Sequence, residues 1–197
     1  MKLLQDRILK DGKVYPGDIL KIDSFLNHQI DIKLMDEIGK EFKRLFSDLH
    51  PTKILTIESS GIAIATATSA YFDYVPVVFA KKNKSLNMSD AYIEKEKSYT
   101  RDEYYTVSVA KEYLNENDKI LIIDDFLANG EALNSMISIC KQAKAEILAA
   151  GIVVCKTYQP GKMKIKSMGI RLECLARIAS LKSNQIEFEQ YKVGDRV

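Results

Sequence analysis

The sequence has no tryptophan, two histidines, three cysteines and four prolines among 197 residues. Each shortage removes a class of function. His28 and His50 lie far apart in the chain, so neither a histidine metal site nor a Ser-His-Asp triad is expected. Cys140, Cys155 and Cys174 are an odd, widely spaced set with no C-x-x-C pair. That argues against a disulfide framework or zinc ribbon and for a reduced, cytoplasmic setting. The few prolines leave no Pro-rich linker or low-complexity segment, and no repeat period is visible. No run approaches the ~18 to 20 apolar residues of a membrane span. The opening Met1-Lys2-Leu3-Leu4-Gln5-Asp6-Arg7 turns polar too soon for a secretory signal. An excess of one charge is missing too. Lys plus Arg is 29 and Asp plus Glu is 27, a net +2. Neither a nucleic acid nor a membrane surface is therefore an expected partner.

What is present suits one domain spanning 1–197, with 46% apolar residues to build a core. Residues 3–10 read as a short helix stopped at Gly12. Residues 20–23 alternate like a strand, and 25–29 have no clear period. Asp31 can cap a helix to about residue 49, with Met35, Ile38, Phe42, Leu45 and Leu49 on one face. Strands are predicted at 53–57, 75–80, 104–110, 119–123, 147–155, 171–178 and 185–188. Helices are predicted from Gly61 to about Phe72 and over 130–144. Residues 81–101 are polar and irregular, long for a structureless loop, which favours a functional or mobile one. Strands alternating with helices predict an α/β domain with a mostly parallel central sheet flanked by helices. Ligands bind beyond the carboxyl ends of such strands. The loops after Ile57, Ala80, Ile123 and Cys155 are therefore the places to look.

One of them carries most of the chemistry. Ile120-Leu121-Ile122-Ile123 belongs inside a sheet. Asp124 and Asp125 follow, then Phe126-Leu127-Ala128-Asn129-Gly130, then a helix. Two carboxylates at a strand mouth can accept from paired hydroxyls or hold water on a divalent cation. Small residues let backbone approach a ligand, and a helix N-terminus suits phosphate. Diol acceptors followed by a phosphate cradle describe a sugar-phosphate site. On spacing alone, an ordinary strand-to-helix turn stays open. Two rival motifs are absent. Gly161-Lys162 is followed by Met163, so there is no G-x-x-x-x-G-K-[ST], and there is no G-x-G-x-x-G.

Residues 120–132, ILIIDDFLANGEA, resemble the ribose-phosphate motif of the type I phosphoribosyltransferases. Residues 21–31, 57–63, 77–82 and 155–161 (KIDSFLNHQID, IESSGIA, VVFAKK and CKTYQPG) are similar, in order, to the xanthine-specific group of that family found in Gram-positive bacteria. The resemblance covers nearly the whole chain, with 87–113 the variable stretch. It implies the type I phosphoribosyltransferase fold, with a small hood lobe from the N- and C-terminal segments. It also implies a purine-salvage transfer from phosphoribosyl pyrophosphate to xanthine, substrate-bound Mg²⁺ and a homodimer.

By the family pattern Asp124 and Asp125 address the ribose hydroxyls, and Ala128, Asn129, Gly130, Glu131 and Ala132 wrap the 5′-phosphate. Asn129 stands where the wider family usually has Thr or Ser. For Glu131 the backbone N–H, not the carboxylate, is expected to face the ligand. Leu20, Asn27 and Lys156 match the xanthine-contacting positions. Ser59, Ser60 and Gly61 match the pyrophosphate loop. Lys81 and Lys82, with Lys84, open a flexible active-site loop at about 81–103. Taken without the resemblance, Leu20 reads as core, Lys156 equally as a solvated strand-end lysine or a ligand contact, and Phe126 equally as core or as a face for the purine. No protein-only metal site is expected. Two alternatives keep the fold: a phosphoribosyltransferase for another purine base, and a non-catalytic sensor of phosphoribosyl pyrophosphate. An RNA-binding role for Lys81-Lys82-Asn83-Lys84 rests on one short basic run.

Overall fold

A computed structural model describes residues 1–83, 90–97, 104–182 and 185–189. Helix α1 (Lys2–Asp11) buries Leu4 and Ile8 and ends where the Gly12 amide donates to the Ile8 carbonyl at 2.9 Å. Strands β1 (Lys13–Tyr15) and β2 (Ile19–Lys21) pair as a small antiparallel hairpin. A π-helical turn, Asp23–Asn27, follows and buries Phe25 and Leu26. Helix α2 (Ile32–Leu45) starts at Asp31, whose carboxylate accepts from the Leu34 amide at 3.1 Å. Its Met35, Ile38 and Phe42 are buried at helical spacing, as the sequence predicts.

The central sheet uses β3 (Lys53–Ile57), β4 (Val77–Asn83), β5 (Ala91–Lys97), β6 (Tyr104–Ala110), β7 (Lys119–Leu127), β8 (Glu146–Lys156), β9 (Leu172–Ser180) and β10 (Glu187–Phe188). Helix α3 (Ser60–Ser69) follows β3, α4 (Glu131–Gln142) follows β7, and α5 (Gly161–Ser167) follows β8. The order across the eight strands is β10-β9-β8-β7-β3-β4-β6-β5. From β9 to β4 every pairing is parallel; β10, β6 and β5 add antiparallel edges. This is the expected mostly parallel α/β sheet. Its inner strands are apolar on both faces because both are covered. Ile54, Leu121, Ile123 and Val153 pack with Phe42 of α2 and Ile64 of α3 on one face. Leu55, Ile120, Ile122 and Ile152 pack with Met136 and Ile137 of α4 on the other.

Neighbours β3 and β7 wind onward in opposite directions, β3 to β4 and β7 to β8. Such a switch leaves a crevice outside the carboxyl ends of the two strands. The small lobe rises beside it. Leu20, Ile22, Phe25 and Leu26 of the hairpin region join Leu4 and Ile8 of α1 and Leu175 and Ile178 of β9 in one cluster, and Phe188 of β10 packs against it.

Several elements differ from the sequence reading. β7 continues through both aspartates to Leu127, so they stand on the strand and not beyond its end. Residues 81–83 extend β4, and 91–97 form β5, where an irregular stretch is predicted. Cross-strand pairing with β6 supplies the order that composition hides. Strand β1 and helix α5 are too short for their periods to register. Of the proposed loop, 84–89 and 98–103, including Lys84, lie outside the described residues. The three cysteines are free and buried.

Candidate active site

The crevice holds a cavity of about 230 Å³ lined by Glu58, Ser60, Lys82, Asp124, Asp125 and the 128–132 turn, Asn129 excepted. Asp125 is its centre. The Ser60 hydroxyl donates to Asp125 Oδ2 at 2.6 Å, and the Asn27 amide nitrogen donates to the same oxygen at 3.0 Å. The Phe126 amide donates to Asp125 Oδ1 at 2.8 Å. Segments 98 and 65 residues away thus meet on one carboxylate.

Asp124 is only 2% exposed. Its Oδ1 accepts from the Asp125 amide at 3.0 Å. Burial, then the neighbouring Asp125 charge, pushes its carboxyl well above the usual carboxylate range. Gly61 makes room for it. A Cβ on Gly61 would lie 2.1 Å from Thr56 Oγ1 and 3.2 Å from Asp124 Oδ1. Glycine alone lets the first turn of α3 close over the strand ends. The Glu58–Ser59 peptide before it is cis, and Ser59 is exposed. Glu58 is engaged, accepting from the Lys82 amide at 2.5 Å.

The predicted residues divide on inspection. Ala128, Gly130, Glu131 and Ala132 line the main cavity, whereas Asn129 faces a neighbouring depression of about 160 Å³ with Asn134 and Lys164. Lys82 lines the main cavity. Lys81 alternates to the opposite side of β4 and lines a separate groove of about 690 Å³ with Phe79 and Tyr113. Leu20 is in the core, so its side chain is committed to packing. Lys156 is half-buried at the end of β8, and its ammonium donates to the Asp18 carbonyl at 2.7 Å. Desolvation lowers its pKa, partly offset by the Asp18 charge. Phe126 is partly buried, packs against the core and also borders the cavity.

Two contributors escape the sequence reading. Asp18 has a positive φ of 59° at the hairpin tip; the Pro16-Gly17 pair before it is the turn signal that marks the place. Gly161 lies against the 128–130 backbone; its only signal is a place in the CKTYQPG stretch. No cluster of three or more metal-ligating side chains is found among the described residues.

A family model described as a phosphoribosyl transferase domain matches residues 22–180. The chain belongs to that family. The phosphoribosyltransferase relatives run nearly its full length. It is 51% identical over 190 residues to "Xanthine phosphoribosyltransferase 2" of Clostridium botulinum, covering 96% of this chain and 100% of the relative. It is 52% identical to "Xanthine phosphoribosyltransferase" of Ligilactobacillus salivarius, covering 96% and 98%. Among solved structures, the adenine phosphoribosyltransferase of Rhodothermus marinus superposes with a TM-score of 0.72 at 18% identity, covering 90% of this chain and all of that one. The Giardia lamblia APRTase complexed with 9-deazaadenine gives 0.74 at 22%, covering 90% and 98%. At such identities these superpositions show the shared fold alone.

Proposed function

We propose that this phosphoribosyltransferase acts on xanthine, forming xanthosine 5′-monophosphate and pyrophosphate from phosphoribosyl pyrophosphate in purine salvage. The observation that carries the reading is the convergence on Asp125. Its carboxylate joins Ser60 of the pyrophosphate loop to Asn27 of the base segment, beside the sugar-phosphate turn. Relatives about half identical over nearly the whole chain carry that substrate in their names.

In the reaction a xanthine ring nitrogen bonds to the anomeric carbon as the bond to the diphosphate oxygen breaks. The ring proton leaves to solvent. The chain's task is positioning and charge placement. Asp124 and Asp125 accept from the ribose hydroxyls. The 128–132 turn cradles the 5′-phosphate at the start of α4 with main-chain N–H groups. Ser59, Ser60 and Gly61 receive the leaving group, and Lys82 offsets its charge. Asn27 offers a donor and an acceptor to the base edge, and Lys156 a charged donor to a carbonyl oxygen. Leu20 contributes through its backbone. Two acceptor carboxylates, with no cluster of three ligating side chains among the described residues, fit a Mg²⁺ that the substrate would carry in and that Asp124 and Asp125 would face. When bound, that ion neutralises diphosphate charge. The enzyme works as a cytoplasmic homodimer.

The test is pyrophosphate release from phosphoribosyl pyrophosphate and Mg²⁺, with xanthine, guanine, hypoxanthine and adenine in parallel. Turnover led by xanthine is expected. Turnover led by another base would keep the reaction and overturn the base assignment. Binding of the sugar phosphate with no turnover would make the chain a sensor.

A further inference from the structure

The segment that carries Lys156 returns beneath the phosphate turn as bare backbone. The Gly161 amide donates to the Ala128 carbonyl at 3.0 Å. A Cβ on Gly161 would lie 2.4 Å from that carbonyl oxygen, 2.9 Å from the Gly130 nitrogen and 3.0 Å from the Asn129 carbonyl carbon. Comfortable contacts of carbon begin near 3.5 Å. Gly130 mirrors the arrangement. Its φ is +94°, and a Cβ there would lie 3.2 Å from the Gly161 Cα. Every clashing atom is main chain, so no rotamer change relieves the overlap. The turn has little slack either. It is anchored by buried Leu127 at the end of β7 and by buried Leu133 in the first turn of α4.

We infer that Gly161 is a positioning residue for the phosphoribosyl subsite. It sets the height of the 128–130 backbone, and it ties that backbone to the strand end bearing Lys156. The inference rests on the proposed function, which takes 128–132 as the 5′-phosphate cradle. Any side chain at 161 lifts the turn and misaims its N–H groups, while Asp124, Asp125 and Lys156 keep their own supports.

The test is Gly161→Ala in the full chain, beside Gly169→Ala. Gly169 has a φ of +72° with nothing within 4 Å of its Cβ, so it controls for backbone strain away from the site. Gly161→Ala should raise the KM for phosphoribosyl pyrophosphate by roughly tenfold to a hundredfold. The kcat at saturating sugar phosphate should change far less, and Gly169→Ala should leave the KM unchanged. An unchanged KM in Gly161→Ala, or an equal rise in both variants, overturns the inference. Should Gly161→Ala not fold, hydrogen exchange on the wild type decides. On binding xanthosine monophosphate, the Gly161 amide should slow together with those of 129–132. The Gly169 amide, bonded to Lys166 at 3.0 Å, should not change. Slowed turn amides with an unaffected Gly161 amide overturn the inference while the cradle stands. No binding of phosphoribosyl pyrophosphate by the wild type would overturn the proposed function and this inference with it.

Discussion

On the sheet side of Asp125, Asp124 stands on β7 between β3 and β8, almost wholly buried and braced by the Asp125 amide. On the lobe side, Asn27 is exposed at the end of a single π-helical turn and is held by one hydrogen bond of 3.0 Å. Lys156 leans on a carbonyl at the tip of a hairpin whose strands have three residues each. The groups assigned to ribose are thus embedded in the most cooperative part of the fold. The groups assigned to the base are carried or propped by short elements, a π-helical turn and a three-residue hairpin. Under the proposed roles, the difference separates reaction from selection: the sheet mouth would set whether phosphoribosyl transfer occurs, and the hairpin region which base receives it.

The strongest attack on that separation is Asp125→Ala. It should lower kcat by roughly a hundredfold or more with every base tested, since the ribose contact is common to all. A loss confined to xanthine would merge the two regions. Next comes Lys156→Ala. Its kcat/KM for xanthine should fall roughly tenfold to a hundredfold, the worth of a charged hydrogen bond, and less for hypoxanthine. Equal losses for both bases would remove Lys156 from selection. A finer probe is Asp18. Valine resists the left-handed conformation that glycine accepts. Asp18→Val should lower xanthine kcat/KM by roughly tenfold, while Asp18→Gly stays near wild type. Equal activity of the two would show that the hairpin tip does not aim Lys156.

The smallest effect concerns Asp124 in the ligand-free protein. Its folded pKa is raised, so the protonated carboxyl contributes stability below the unfolded value, about 4. That contribution is lost as pH rises through the folded pKa. Between the unfolded and folded pKa values, stability to urea should therefore fall more steeply with rising pH in the wild type than in Asp124→Asn. Parallel profiles would mean the buried carboxyl gains its charge at no penalty.

The same contrast explains what the sequence made legible. The sheet was readable because unbroken apolar runs such as 120–123 belong inside a sheet covered on both faces. The paired aspartates and the small residues after them mark the loop to inspect, but on spacing alone they fit an ordinary strand-to-helix turn as well. The lobe was less readable. Strands of three residues and a π-helical turn have no period to detect, so only the Pro16-Gly17 pair hints at a turn there, and nothing hints that Asp18 meets Lys156. Lys81 and Lys82 read as one basic cluster, yet extension of β4 sends them to opposite faces. Leu20 was readable both as core and as a base contact, and its side chain is in the core. Gly161 was hidden because its role lies in what it leaves empty, visible only when the facing backbone is in place.

The buried cysteines have a practical consequence. Cys140, Cys155 and Cys174 belong to α4, β8 and β9, on one flank of the site, and none is open to solvent. A thiol reagent added to the folded protein can react only when that flank opens. Its rate of consumption is a clock for local breathing, readable without substrate. Against that silent background, one cysteine introduced at the hairpin tip would carry a dye to the lobe alone, and the lobe's motion would become directly visible.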